Sequence, residues 1–145
     1  MATVRELLAK KGNHVVSVDK DMTVFDAARV MNDHRVGSVV VLEDGHIIGM
    51  FTERDVLRRI VGERRDPVTT RVADVMTTEV VCCTLETSID EARGSMKNRR
   101  IRHLPVVDPD KRLLGLISIG DLNAHHASAQ EQTIHLLHDY IYGRV

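Results

Sequence analysis

Tryptophan is absent from the sequence, and aromatic residues make up only 3% of its 145 residues. So few aromatic rings disfavour the base-stacking surfaces with which many proteins bind single-stranded nucleic acid. The 20 Lys and Arg residues nearly balance the 21 Asp and Glu residues, and a net charge of −1 gives no general attraction for nucleic acid. No apolar run approaches the roughly 20 residues of a membrane-spanning helix, and the first residues lack the apolar stretch of a secretory signal. We therefore expect no nucleic-acid partner and no membrane partner.

Cysteine is scarce, and the two cysteines, Cys82 and Cys83, are neighbours in the chain. A disulfide framework needs cysteines that are separated in sequence, and a structural zinc site usually needs four ligands at characteristic spacings. Neither pattern is present. The sequence thus predicts a reducing compartment, the cytoplasm, with both thiols serving as small strand residues and no bound metal.

An internal repeat is the strongest pattern in the chain. A shift of 65 positions superposes identical residues, and one additional residue near Asp110 extends the shift to 66. The superposed pairs include Val16 and Val81, Ala27 and Ala92, Met31 and Met96, Arg35 and Arg100, Val41 and Val106, Gly49 and Gly115, and Asp55 and Asp121. Each copy has only about 55 to 60 residues, and so short a unit buries too little surface to be stable alone. We therefore expect the two copies to pack on each other.

Both copies predict the same order of elements: a leading helix, a strand, an amphipathic helix, two strands joined by a turn, and a final helix. The predicted fold class is α/β (α+β), with two β-α-β-β-α repeats packed as a pseudo-twofold pair and an extended C-terminal helix. The predicted segments are residues 3–62 for the first domain, 63–71 for the linker, 72–127 for the second domain and 128–145 for a C-terminal helical tail.

Local signals predict where these elements begin. Capping boxes occur at Thr3–Glu6, Thr23–Asp26 and Ser88–Glu91, and Thr70 can cap the leading helix of the second copy. The predicted strands are His14–Val18, Gly37–Leu42, Ile47–Phe51, Val80–Cys83, His103–Val107 and Leu113–Ile117. Ile134, Leu137 and Ile141 give the tail an apolar face, and packing on its own chain and a dimer contact both stay open.

A glycine, a hydroxyl residue and an aspartate recur where the last helix of each copy begins. The motifs are Gly49-x-x-Thr52-x-x-Asp55 and Gly115-x-x-Ser118-x-x-Asp121. A hydroxyl residue followed three positions later by Asp can form a capping box, which explains both residue types without a ligand. The alternative is a ligand site. Glycine permits close approach to the backbone, a helix N-terminus favours phosphate, and a carboxylate can accept hydrogen bonds from two neighbouring hydroxyls.

These motifs, in a doubled β-α-β-β-α order, resemble the tandem cystathionine-β-synthase (CBS) domain pair, also called a Bateman module. The sequence IRHLPVV at Ile101–Val107 is similar to that family's second-copy strand, and Asp74–Thr77 is similar to its usual entry into a copy. The resemblance covers residues 3 to about 127 and is strongest to a small stand-alone bacterial type. It implies a regulatory module that binds an adenine nucleotide, namely AMP, ADP, ATP or NAD(H), with S-adenosylmethionine less favoured.

The resemblance also implies roles for individual residues. Asp55 with Thr52 would hold one ribose, and Asp121 with Ser118 would hold the other. The phosphate residues implied are Arg102 and His103. Arg54, in the first turn of its helix, is a further phosphate candidate for its own site. The residues implied for the adenine pocket are Val15, Val16, Val80, Val81, Gly37 and Ser38.

The basic pair Arg102 and His103 is expected to reach the phosphates of the ligand at Asp55. Gly37 and Ser38 occupy the corresponding positions of the first copy and carry no charge. We therefore expect the Asp55 site to be richer in phosphate ligands than the Asp121 site. A histidine contact with phosphate predicts an affinity that rises as the pH falls through the pKa of His103.

Catalysis has no support in the sequence, because nucleophile elbows, zinc-protease motifs and Walker loops are all absent. The chain is therefore predicted not to be an enzyme. The expected partners are a second copy in a homodimer and an effector protein of unknown identity. Two alternatives stay open: a structural or protein-interaction module with vestigial nucleotide sites, and a metal-responsive protein that uses His125, His126, His135 and His138. Arg58 and Arg59 are interpreted as a solvated helix face.

Overall fold

The computed structural model describes residues 2–126, and the predicted tail at 128–145 lies outside them. The first copy contains α1 (Val4–Lys11), β1 (Ser17–Asp19), α2 (Val24–His34), β2 (Ser38–Glu43), β3 (His46–Thr52) and α3 (Glu53–Asp55), which continues as a π-helical segment (Val56–Val61). The second contains α4 (Val72–Val75), α5 (Ile89–Arg99), β4 (His103–Val107), β5 (Leu113–Ser118) and α6, which begins at 119 and is described to 126. The predicted α/β class is confirmed. Among the described residues, no helix is long and apolar enough to span a bilayer.

Each copy has its own small sheet. In the first, β1 pairs parallel with β2, and β2 pairs antiparallel with β3. In the second, β4 pairs antiparallel with β5. The predicted strand Val80–Cys83 is wrong, since only Cys83 pairs, in a single parallel bridge with Val106. The N–H of Val80 instead donates to the carbonyl of Thr78 in a local turn, so it cannot serve a ladder.

The amphipathic helices α2 and α5 begin and end alike. The Thr23 hydroxyl accepts a hydrogen bond from the Asp26 N–H, and the Ser88 hydroxyl accepts one from the Glu91 N–H. Both helices end on an arginine, Arg35 or Arg100, in the left-handed conformation at φ 54°. The repeat therefore extends from the sequence to the capping geometry.

Two other capping predictions are wrong. Thr3 precedes α1, but its side chain forms no capping hydrogen bond within the described chain. Its backbone bridges Ser88 of the second copy. Thr70 does not cap α4, which begins after Arg71. The Thr70 hydroxyl donates to the carbonyl of Asp66 instead, at 2.7 Å.

The leading helices are exchanged between the copies. Val4, Leu7 and Leu8 of α1 are buried in the core of the second copy, against α5, β4 and β5. Val72 and Val75 of α4 are buried in the core of the first copy, against α2, β2 and β3. The repeat pattern alone places each leading helix with the copy it precedes, whereas in the structure each one completes the other copy.

Backbone hydrogen bonds fix this exchange with the same pattern on both sides. The N–H of Val4 donates to Thr87, and the N–H of Ile89 donates to Ala2. In the first copy, the N–H of Val72 donates to Met22, and the N–H of Val24 donates to Thr70. Because each core needs a segment from the other half of the chain, we expect the two copies to unfold together.

We predict that Leu7→Ala destabilises the protein by about 2–5 kcal/mol, the usual cost of removing a buried leucine side chain. Urea denaturation measures the loss, and hydrogen exchange locates it. The faster exchange should begin in α5, β4 and β5, although residue 7 belongs to the other half of the sequence. Lys10→Ala, on an exposed position of the same helix, is the matched control. Faster exchange confined to β2 and β3 would contradict the exchanged packing.

Candidate functional site

Both signature motifs form capping boxes at the start of a helix. In the first copy the N–H of Thr52 donates to Asp55 Oδ2 at 3.0 Å, and the N–H of Asp55 donates to Thr52 Oγ1 at 3.2 Å. In the second, the N–H of Ser118 donates to Asp121 Oδ2 at 2.8 Å, and the N–H of Asp121 donates to Ser118 Oγ at 3.1 Å. The four predicted ribose residues therefore come together in pairs, as predicted from their spacing.

Asp55 is engaged by the protein on both carboxylate oxygens. Oδ2 also accepts the Thr52 hydroxyl at 3.3 Å, while Oδ1 accepts the Thr77 hydroxyl at 3.3 Å. Arg59 Nε lies 3.7 Å from Oδ1. Only 6% of Asp55 is exposed. The carboxylate thus joins the start of α3 to the segment that follows α4.

Arg59 is more than a solvated residue. Its Nη1 donates to the carbonyls of Val75 and Met76, at 2.9 and 3.1 Å, where α4 ends. These carbonyls have no partner within so short a helix, and a cation there also suits the helix dipole. Half of the Arg59 side chain is exposed, as expected for a solvated helix face, but its contact with the end of α4 was not predicted.

Asp121 has a different partner, Lys11 at the end of α1. Lys11 Nζ donates to Asp121 Oδ2 and to the carbonyl of Leu116, both at 2.6 Å. Burial raises the pKa of Asp121, but the hydrogen bonds from Lys11 and Ser118 outweigh burial and hold the pKa below its ordinary value. About a quarter of the Asp121 side chain is exposed, so this carboxylate is more accessible than Asp55.

His103 lies directly opposite Ser118 in the register of β4 and β5. Burial lowers the pKa of His103, the charges of Lys11 and Arg102 lower it further, and Asp121 acts in the opposite direction. The carbonyl of Arg102 accepts the N–H of Ile119 at the start of α6. The basic pair thus stands beside the second capping box. Its predicted contact with the phosphates of the ligand at Asp55 stays a prediction.

Gly37 and Ser38 of the first copy, which correspond to the basic pair Arg102 and His103, are uncharged. Ser38 lies opposite Thr52 in the register of β2 and β3, and its hydroxyl is buried without a hydrogen-bond partner among the described residues. The carbonyl of Gly37 accepts the N–H of Glu53, and the Glu53 carboxylate lies within 3.1 Å of the point where a Gly37 Cβ would be. Arg54 is exposed.

The predicted adenine-pocket valines divide between two environments. Val16 packs against the core of the first copy and Val81 against that of the second. Val80 instead lines a cleft, and Val15 is half-buried. The cleft lies between the copies and is lined by Ile47, Ile48, Thr78, Val80, Cys82, Val107 and Lys111. Of the six proposed adenine residues, only Val80 is among those that line this cleft.

At both signature glycines, Gly49 and Gly115, other parts of the protein occupy the space that a side chain would fill. A Cβ on Gly49 would lie 2.6 Å from Met76 Sδ and 3.0 Å from the carbonyl oxygen of Thr77. A Cβ on Gly115 would lie 2.9 Å from a methyl group of Leu8. Because these contacts come from the exchanged leading segments, the glycines are explained by packing between the copies and do not by themselves indicate a ligand.

Three residues at the site are absent from the sequence-based set: Lys11, Arg59 and Thr77. Arg59 had a local signal, since it follows Asp55 by four residues on a helix. Lys11 and Asp121 are 110 residues apart, and no spacing rule connects them. Thr77 reaches Asp55 because its backbone bridges Met50 of β3.

Metal binding receives no structural support from the described part of the chain. Within residues 2–126, no three His, Cys, Asp or Glu side chains form a group that could hold a metal ion. His125 and His126 belong to α6. His135 and His138, the pair with helical spacing, lie outside the described residues.

The model of the CBS domain family matches residues 4–62 and 72–126. The chain therefore belongs to the CBS domain family and carries two copies of the domain, which confirms the resemblance in its motifs. It is similar to the mitochondrial CBS domain-containing protein CBSX3 of Arabidopsis thaliana, with 35% identity over 150 residues that cover 97% of this chain and 72% of the relative.

Two solved structures extend the comparison. The CBS-domain containing protein ATU1752 from Agrobacterium tumefaciens is 37% identical, with a TM-score of 0.78, and the match covers 86% of this chain and 98% of that one. The CBS domain protein PAE2072 from Pyrobaculum aerophilum, whose structure is a complex with AMP, is 25% identical, with a TM-score of 0.73. That match covers 82% of this chain and 88% of the other.

We predict that Gly49→Ala costs about 1–3 kcal/mol of stability and more than Gly115→Ala. The Thr77 carbonyl accepts the N–H of Met50 at 2.9 Å, which holds it in place, whereas the Leu8 methyl groups can rotate. Thermal and urea denaturation of each variant measure the difference. Gly94→Ala is the control: it lies inside α5, no described neighbour is within 4 Å of the new Cβ, and the change should stabilise the helix by about 0.5–1 kcal/mol. An equal effect of all three changes would refute the packing role.

Proposed function

We propose that this chain is a non-catalytic regulatory module that binds an adenine nucleotide between its two CBS domains, at the capping boxes of Asp55 and Asp121. These carboxylates are not among the residues that line the cleft around Val80. The observation that carries the proposal is the accessible Asp121 carboxylate, paired with Lys11 and placed beside His103 and Ser118. Acceptors for sugar hydroxyls and cations for phosphate are thereby close together, which is the combination that a nucleotide requires. The AMP complex of the Pyrobaculum relative supports the same class of ligand.

The proposed ligands are AMP, ADP, ATP and NAD(H), since all carry an adenosine with phosphate attached. The carboxylates of Asp55 and Asp121 accept the ribose hydroxyls, with Thr52 and Ser118 beside them. Arg102, His103 and Arg54 supply positive charge for the phosphates. S-adenosylmethionine is less favoured, because it has no phosphate to use these cations.

Signalling follows from the exchanged helices. A ligand between the copies stabilises the arrangement of the two domains that it fits best, and so shifts the population of conformations. Since each core contains a segment of the other copy, a change at the ligand site is transmitted to both cores. The receiving partner is a second copy, an effector protein or both, and the proposed compartment is the cytoplasm.

A second candidate function is a protein-interaction module with vestigial nucleotide sites. The observation in its favour is the first capping box, where Thr52, Thr77 and Arg59 take up both oxygens of the buried Asp55 carboxylate. If both carboxylates serve only as helix caps, the signature is structural and no nucleotide binds.

We predict that an adenine nucleotide binds with micromolar affinity and stabilises the folded protein by about 2.7 kcal/mol at a concentration of 100 times its dissociation constant. Calorimetric titration with AMP, ADP, ATP, NAD and S-adenosylmethionine measures the affinities, and GMP tests selectivity for adenine. The double change Asp55→Ala and Asp121→Ala should abolish binding. A folded protein that binds none of these compounds at millimolar concentration would favour the interaction module.

A second prediction concerns pH. Burial, together with the charges of Lys11 and Arg102, lowers the pKa of His103, so the imidazole gains its proton at a lower pH than an ordinary histidine does. Binding of phosphate favours the protonated ring, so the affinity for AMP relative to that of a His103→Asn variant should rise as the pH falls from 8 to 5.5, by about tenfold. The comparison at each pH cancels the titration of the ligand's own phosphate. A constant ratio across this range would exclude the phosphate contact.

A further inference from the structure

Lys11 keeps an unused hydrogen-bond donor at the second capping box. It is the last residue of α1, and its Nζ donates to Asp121 Oδ2 and to the carbonyl of Leu116, both at 2.6 Å. An ammonium group has three N–H donors. Two are engaged within residues 2–126, and a third of the side chain is exposed. One N–H of Lys11 therefore has no partner among residues 2–126, and a bound ligand can use it.

Asp121 keeps an acceptor beside that donor that no described residue uses. Its Oδ2 accepts from the N–H of Ser118 and from Lys11, while its Oδ1 receives no hydrogen bond from the described chain. About a quarter of the side chain is accessible. The ion pair thus presents a carboxylate oxygen and an ammonium N–H together. A ligand with neighbouring hydroxyl and anionic groups can use both.

The first capping box does not offer this combination. Both oxygens of Asp55 are engaged by the protein, and 6% of the residue is exposed. Arg59 is the nearby cation, and its Nη1 donates to the carbonyls of Val75 and Met76. Further negative charge comes from the Glu53 carboxylate close to Gly37.

The charged residues around the second capping box differ from those around the first. Lys11 and Arg102 lower the pKa of the half-buried His103, so three basic side chains lie around Asp121. The residues that correspond to Glu53 and Arg54 in this copy are Ile119 and Gly120, which are uncharged. Asp121 therefore has basic side chains beside it and no counterpart of the acidic Glu53, which favours an anion there.

From this arrangement we infer that Lys11 binds the phosphate of the ligand whose ribose Asp121 holds. The inference rests on the proposed function and adds a specificity-determining residue to it. It also makes the Asp121 site the stronger one for phosphorylated ligands, although the charge pattern of the sequence favours the Asp55 site. Lys11 discriminates AMP from adenosine, because only AMP carries the anion.

The test compares AMP with adenosine by calorimetric titration of the full chain. Lys11→Ala should lower the affinity for AMP at least about tenfold, because a charge-assisted hydrogen bond is lost. It should change the affinity for adenosine less than about twofold. It should also flatten the dependence of AMP affinity on salt, because one cation is lost. Lys11→Arg, which keeps the charge, should retain most of the AMP affinity. Lys10→Ala, one position earlier and exposed, should leave the affinities for AMP and adenosine unchanged.

A double-mutant cycle assigns the site. The effect of Lys11→Ala on AMP should vanish in an Asp121→Asn background and persist in an Asp55→Asn background, because residues that share a ligand are coupled. Circular dichroism and the melting temperature verify that each variant is folded. Additive effects of Lys11→Ala and Asp121→Asn would overturn the inference, as would equal losses for AMP and adenosine, and the proposed function would survive both. A folded, unaltered protein that binds neither compound would refute the proposed function itself.

Discussion

The burial of each leading helix in the core of the other copy is the contact on which the rest of the structure depends. A unit of roughly 60 residues buries too little apolar surface for secure folding. Here Val4 and Leu7 of α1 close the second core, and Val72 and Val75 of α4 close the first. Neither copy has a complete core without a segment of the other. The arrangement of the two domains is therefore part of the folded state and not a later docking step.

The same exchange explains most of the signature motif. Gly49 and Gly115 are needed because the exchanged segments pass against β3 and β5. The hydroxyl and the carboxylate of each motif cap a helix. Only the lone pairs that remain after capping are available to a ligand. A chain can therefore carry the motif for reasons of folding, and ligand binding depends on what the neighbouring segments leave free.

The difference between the two sites arises from the lengths of the leading helices. The eight residues of α1 are enough to carry Lys11 to Asp121. The four residues of α4 end earlier, and the extended chain beyond them places the Thr77 hydroxyl on Asp55. Asp121 thus receives a lysine from the exchanged segment, whereas Asp55 receives a threonine hydroxyl from it and has Arg59 of its own copy nearby. Lys11 is the last residue of α1, the helix that is buried in the second core. A ligand that binds Lys11 would therefore act directly on a helix that connects the two copies.

Local patterns in the chain were enough to predict the repeat, the order of the elements and the pairing of Thr52 with Asp55 and of Ser118 with Asp121. These features depend on hydrogen bonds between residues three positions apart and on the periodicity of apolar residues, which are readable locally. The strand predicted at Val80–Cys83 failed, because β-forming residues need a partner strand and only Cys83 has one. Which core each leading helix completes, and which side chains contact the two carboxylates, depends on the tertiary fold. Lys11 and Asp121 are 110 residues apart, and their contact exists because the chain path returns α1 to the second copy, which no local pattern specifies.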